Sequence, residues 1–325
     1  MEKDNLLTNL VDLHLHLGSA SPPHILWEIA HEQGIKLREK DYWKFIDSVT
    51  IKENTDYDTY LEFFHVTELI QSSTHAIEKA CHQAVSYYYR TSDVRTIELR
   101  FNPMLRNKGG EQDLDKIVFS SLVGTKRACL EYPVKAGIIL MMDRRFDKEK
   151  NTIIAKKAVR FKNEGVVGID IAGPLNENFK IDDIVEAVQI AQDAGLKVTI
   201  HTGEVTPPEE MWEVVEKLKP NRIGHGVRCV EDKKLMQKIA KEKIILEICP
   251  TSNIRTQAIK DWTHMKKTIR TLIDNKVLFT INTDGPELIE TTVKKELEKM
   301  LEHDILSLQE LKEVIDLSHN VTFIK

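Results

Sequence analysis

A chain of 325 residues with 41% apolar and 30% charged residues has the composition of an ordinary globular protein with a large core. The formal net charge of −5, with no dense Lys/Arg run, argues against nucleic acid as the main partner. The longest apolar stretch, 136–142, is far too short to span a membrane, and residues 1–4 show no basic-then-apolar leader, so a cytoplasmic protein with no membrane partner is expected.

Taken in chain order, short β-rich runs alternate with amphipathic stretches. The first strand is expected at 10–16 (LVDLHLH). The gap after it is too long for one crossover helix, and residues 23–34, 56–71 and 75–90 each show helical spacing. They are read as a helical insertion at one end of the fold, a natural lid. Strands follow at 95–101, 134–142 and 166–171, then a helix at 178–194 and a strand at 196–201. A helix at 208–218, a strand at 222–225, a helix at 231–241 and strands at 244–249 and 277–282 complete the series. Eight strands separated by helical crossovers predict an α/β fold, a (β/α)8 TIM barrel with a helical insertion after the first strand. No low-complexity segment, repeat or linker divides the chain, which reads as a single domain over 1–325. Cys81, Cys129, Cys229 and Cys249 are scattered, with no C-x-x-C pair, and are expected to be reduced thiols.

The chemistry lies at the strand ends, where barrels carry their active sites. The first strand ends in His14-Leu15-His16, and residues two apart on a strand point the same way. The fifth ends in His201-Thr202-Gly203-Glu204, the sixth in Gly224-His225-Gly226, and the eighth leads into Asp284. A lone pair of strand histidines is more often a satisfied polar pair than a metal site. Three histidines and one aspartate from three strand ends are a stronger signal, a donor set suited to one zinc or a similar divalent ion. Glu204 and His225 remain as acid/base candidates that are not ligands. The zinc-site pattern H-x-E with P-C-x-x-C is absent, and the fourth strand has no lysine to bridge a second metal. Asp170 on that strand reads as a structural hydrogen-bond partner.

The stretches VDLHLHLGS (11–19), IELRFNP (97–103), VVGIDIAGP (166–174), HTGE (201–204), RIGHG (222–226), LEICPTSN (246–253) and INTDGP (281–286) run in one order along most of the chain. Together they resemble the adenosine deaminase family of metal-dependent amidohydrolases. The resemblance implies that His14, His16, His201 and Asp284 are zinc ligands, that Glu204 protonates purine N1, and that His225 orients or deprotonates the attacking water. It implies that the Gly173 N–H contacts purine N3, and that Tyr60, Leu61 and Phe64 form an apolar lid; by spacing alone those three are as readily ordinary helix core. The implied reaction is hydrolytic: water adds at C6 of a small-molecule purine and ammonia leaves.

The sequence departs from the family at two places. T-D-D-P becomes Thr283-Asp284-Gly285-Pro286, so the carboxylate that reads purine N7 is replaced by Gly285. H-x-H-L-D-G-S becomes His14-Leu15-His16-Leu17-Gly18-Ser19, so the aspartate that reads the ribose 5′ hydroxyl is missing. The substrate is therefore open among adenosine, deoxyadenosine, adenine and 5′-modified adenosines. Two other readings stay beside this one: an amidohydrolase acting on another substrate, and a catalytically weak nucleoside-binding relative.

Overall fold

The computed structural model describes residues 6–325; the leader region read above, residues 1–4, lies outside them. Eight strands, β1 (Leu10–His16), β2 (Val94–Phe101), β3 (Lys135–Asp143), β4 (Val166–Ala172), β5 (Lys197–Thr202), β6 (Arg222–His225), β7 (Ile245–Ile248) and β8 (Phe279–Ile281), form one sheet in sequential order. Every neighbouring pair is parallel. The sheet curls until its edges meet. The Asp284 N–H donates to the His14 carbonyl at 2.8 Å, and the His16 N–H donates to the Asp284 carbonyl at 3.0 Å. This is the (β/α)8 barrel expected from the sequence.

Apolar residues alternate along the strands with buried polar ones, because both faces are covered and only one of them packs on the helices. Ile97, Ile138, Ile169, Val198, Ile223 and Leu246 are buried between the sheet and its helices. Boundaries shift by a few residues from the expected ones. The helix foreseen at 208–218 runs as an α-helix over Pro208–Glu213 and loosens into a π turn over Val214–Leu218. Lys219 ends the turn with left-handed backbone at φ 47°, and Pro220 follows, which cannot continue a helix. The helix foreseen at 178–194 begins as a 3-10 turn, Ile181–Ile184, before Val185–Asp193.

The insertion between β1 and β2 is helical, as expected. It contains Pro23–Glu32, Tyr57–Ile70 and Thr74–Ser92, and also a short helix, Tyr42–Ser48, that the sequence reading did not anticipate. Asp41, Asp56 and Ser73 cap three of these helices through backbone N–H groups. The helix Tyr57–Ile70 lies over the barrel mouth. There Tyr60 packs with Ile51, Leu288 and Ile289 in a small apolar cluster separate from the main core.

Candidate active site

The C-terminal ends of β1, β5 and β6 and the loop after β8 converge on one point. The rings of His14 and His201 lie 4.6 Å apart between centroids, those of His14 and His225 4.8 Å, and those of His16 and His201 5.1 Å. Gly224 permits this: a Cβ there would sit 3.0 Å from His14 Cε1 and 3.2 Å from His201 Cγ. His16 Nε2 lies 3.1 Å from His201 Nε2 and 3.2 Å from Asp284 Oδ1. Asp284 and His225 both hold left-handed backbone, at φ 67° and φ 61°, an uncommon conformation that clusters at functional sites.

Hydrogen bonds behind the rings decide where each lone pair points. His14 Nδ1 faces Glu247 Oε2 at 2.7 Å, and His201 Nδ1 faces Asp170 Oδ1 at 3.0 Å. A carboxylate only accepts, so these Nδ1 atoms carry protons and the Nε2 lone pairs point inward. His14 Nε2 is buried and has no hydrogen-bond partner among the described residues, which leaves its lone pair free to hold a metal. Burial first, then Arg100 and the neighbouring imidazoles, hold His14 and His201 well below the usual histidine pKa, so both are neutral. His225 differs. Its Nδ1 faces the Asn253 Nδ2 amide at 2.9 Å, which donates, so its Nε2 carries the proton. Two overlapping donor groups exist, His14/His16/Asp284 and His14/His201/His225, and this tautomer sets His225 apart from the lone-pair donors.

The carboxylates behind the histidines are tied into a buried ion network that the sequence reading missed. Arg100 donates to Asp170 Oδ2 and to Glu247 Oε2, each at 2.9 Å, and Arg222 Nε donates to Glu247 Oε1 at 2.6 Å. Arg222 also pairs with Glu98. Burial pushes Glu247 up, but the two guanidiniums beside it prevail and hold its pKa at about 2. Its signal lay in the quoted LEICPTSN and IELRFNP stretches, to which no role had been attached. Asp170 takes the structural part expected of it, as the partner of His201.

Glu204 is fully buried, and desolvation pushes its pKa up to about 7 against hydrogen bonds from Thr256 and Asn253. Its Oε2 lies 3.6 Å from His225 Nε2. Asp284 Oδ2 accepts from Ser252 Oγ at 2.5 Å and from the Tyr60 hydroxyl at 3.2 Å. These groups open onto a cavity lined also by Tyr60, Leu61, Phe64 and Gly173. Gly285 is not among the residues that line this cavity. It lies behind Tyr60, whose hydroxyl would be 2.9 Å from a Cβ at position 285.

The family model described as "Adenosine deaminase" matches residues 9–325. An adenosine deaminase of Clostridium botulinum (strain 657 / Type Ba4) is 30% identical over 309 residues, covering 94% of this chain and 91% of that protein. The chain belongs to the adenosine deaminase family. Adenosine deaminase family proteins are hydrolases acting on cyclic amidines, and this chain is such an enzyme. Two solved structures share its fold. The apo N6-methyl-AMP deaminase of Arabidopsis thaliana has a TM-score of 0.83 at 22% identity, covering 100% of this chain and 95% of that one. An amidohydrolase of Burkholderia ambifaria with bound Zn has a TM-score of 0.85 at 18% identity, covering 98% and 87%. No helix among the described residues is long and apolar enough to cross a membrane.

Proposed function

We propose that the protein hydrolytically deaminates adenosine or a related 6-aminopurine nucleoside or base, with one zinc or similar divalent ion held by His14, His16, His201 and Asp284. The observation that carries this is the pairing, across one cavity, of inward-pointing imidazole lone pairs with a protonatable carboxyl, Glu204. The Zn bound in the Burkholderia ambifaria amidohydrolase supports the choice of metal. The adenosine deaminase of Clostridium botulinum supports the substrate class.

When bound, a divalent ion supplies a Lewis acid that brings a coordinated water's pKa towards neutrality. The chain's own residues do the rest. Glu204, with a pKa near 7, gives a proton to ring N1, which lowers the ring's resistance to attack at C6. His225 Nε2–H donates to the attacking oxygen, and Asp284 accepts from it. The Gly173 N–H steadies the far edge of the ring. Tyr60, Leu61 and Phe64 cover the ring and exclude bulk water.

The test is ammonia release from adenosine, deoxyadenosine, adenine and 5′-modified adenosines by zinc-loaded protein. Release from at least one is expected. No release from any, with the metal shown to be bound, overturns the reading.

A further inference from the structure

Tyr60, Phe64 and Glu68 recur every four residues on the helix Tyr57–Ile70, so they form one stripe on one face. All three line the cavity. The stripe lies over two glycines of the barrel rim. Tyr60 fills the space beside Gly285. A Cβ on Gly18 would meet Phe64 Cδ1 at 3.2 Å, Glu68 Cγ at 3.3 Å and Arg106 Nη2 at 3.4 Å. At both places the cavity wall is therefore made by the lid helix.

Glu68 is fixed there. Its Oε1 lies 3.2 Å from Arg106 Nη2, and the Arg106 side chain is 1% exposed. The Arg106 guanidinium has no hydrogen-bond partner among the described residues. A buried guanidinium left without its anion is costly, so Arg106 holds the carboxylate in place. The Gln71 side-chain amide donates to the Gly18 carbonyl at 3.2 Å, which fastens the end of the helix to the rim. The neighbouring cation, Arg145, is already engaged by Asp143 at 2.6 Å.

The spacing along the stripe sets a length. Tyr60 touches Asp284, beside the donor cluster. Eight residues of α-helix rise about 12 Å. That is long enough to span a nucleoside from its reacting ring edge to its outermost sugar hydroxyl, with hydrogen bonds at both ends.

We infer that Glu68 is a specificity-determining residue, whose carboxylate accepts a hydrogen bond from the outer sugar hydroxyl of the substrate. The assignment rests on the deaminase reading above and narrows it. A carboxylate only accepts, so it suits a hydroxyl donor, and a phosphate in that place would set acceptor against acceptor; the site takes a neutral nucleoside and disfavours a 5′-phosphorylated one.

The test compares kcat/KM for adenosine, 5′-deoxyadenosine and AMP in zinc-loaded wild type and Glu68→Gln. Wild type is expected to favour adenosine over 5′-deoxyadenosine by roughly tenfold or more, and over AMP by more than that. Glu68→Gln is expected to lose roughly tenfold on adenosine, mainly through KM, to lose clearly less on 5′-deoxyadenosine and to narrow the gap to AMP. Equal losses on adenosine and 5′-deoxyadenosine would assign Glu68 a purely structural role beside Arg106 and overturn the inference. A wild-type preference for AMP also overturns it and leaves the deaminase reading standing. No turnover of any of the three overturns both. Even if Glu68→Gln does not fold, equal wild-type turnover of adenosine and 5′-deoxyadenosine overturns the inference.

Discussion

The Tyr60 hydroxyl occupies the space that a side chain at Gly285 would need, 2.9 Å from the position of its Cβ. The same hydroxyl lies 3.2 Å from Asp284 Oδ2 and donates to it. A lid residue thus stands where a side chain at position 285 would project, and it donates a hydrogen bond to the neighbouring Asp284.

Gly285→Asp alone should displace Tyr60 and lower both melting temperature and turnover. Combined with Tyr60→Phe, which removes the obstructing oxygen, it should recover much of the loss. A double-mutant cycle on kcat/KM should give a coupling of about 0.5–3 kcal/mol. Strict additivity of the two changes would show that the two positions do not compete for the same space.

A phenol has one proton, and here Asp284 receives it. Purine N7 then gains no strong donor from Tyr60. Replacing adenosine by 7-deazaadenosine should cost less than about a hundredfold in kcat/KM, about 2.7 kcal/mol of transition-state binding. A larger penalty would mean that some other group reads N7.

Purified protein should carry about one divalent ion per chain by elemental analysis, because the two donor groups found among the described residues share His14 and converge on one point. Changing His14 and His16 together to Ala should abolish metal and activity. Asp170→Asn, which weakens the acceptor of the His201 Nδ1 proton, should lower metal affinity by roughly 10–100-fold in competition with a chelator. Two ions per site would contradict the arrangement.

The proposed mechanism uses Glu204 in its protonated form, and burial raises its pKa from 4.5 to about 7. A group that must hold a proton loses function as pH rises through its pKa. The rate should therefore fall on the alkaline side of about pH 7 and be sustained below it, down to where the histidines protonate. Glu204→Gln should keep the metal, lose roughly 10²–10⁴-fold in kcat and lose that alkaline limb. Near wild-type turnover with a lowered melting temperature would reduce Glu204 to a structural role.

The sequence by itself determined the barrel and the convergence of its chemical groups. Period-two runs of apolar residues, spaced by helical stretches, allow little else, and strand ends are where a barrel gathers its polar side chains. His14, His16, His201, Glu204, His225 and Asp284 were legible for that reason, since each sits at a strand end or in the loop that follows it. What joins residues far apart in the chain was decided only by the tertiary structure. The proton on His14 Nδ1 is set by Glu247, 233 positions away, and the place vacated at Gly285 is filled by Tyr60, 225 positions before it. Local patterning carries the period of each element and the face it buries. It carries no information on which buried carboxylate meets which ring, or on which side chain of a lid enters a gap in the rim. Those pairings follow from close packing and from the cost of leaving a buried charge or hydrogen-bonding group alone, and both exist only once the barrel has closed.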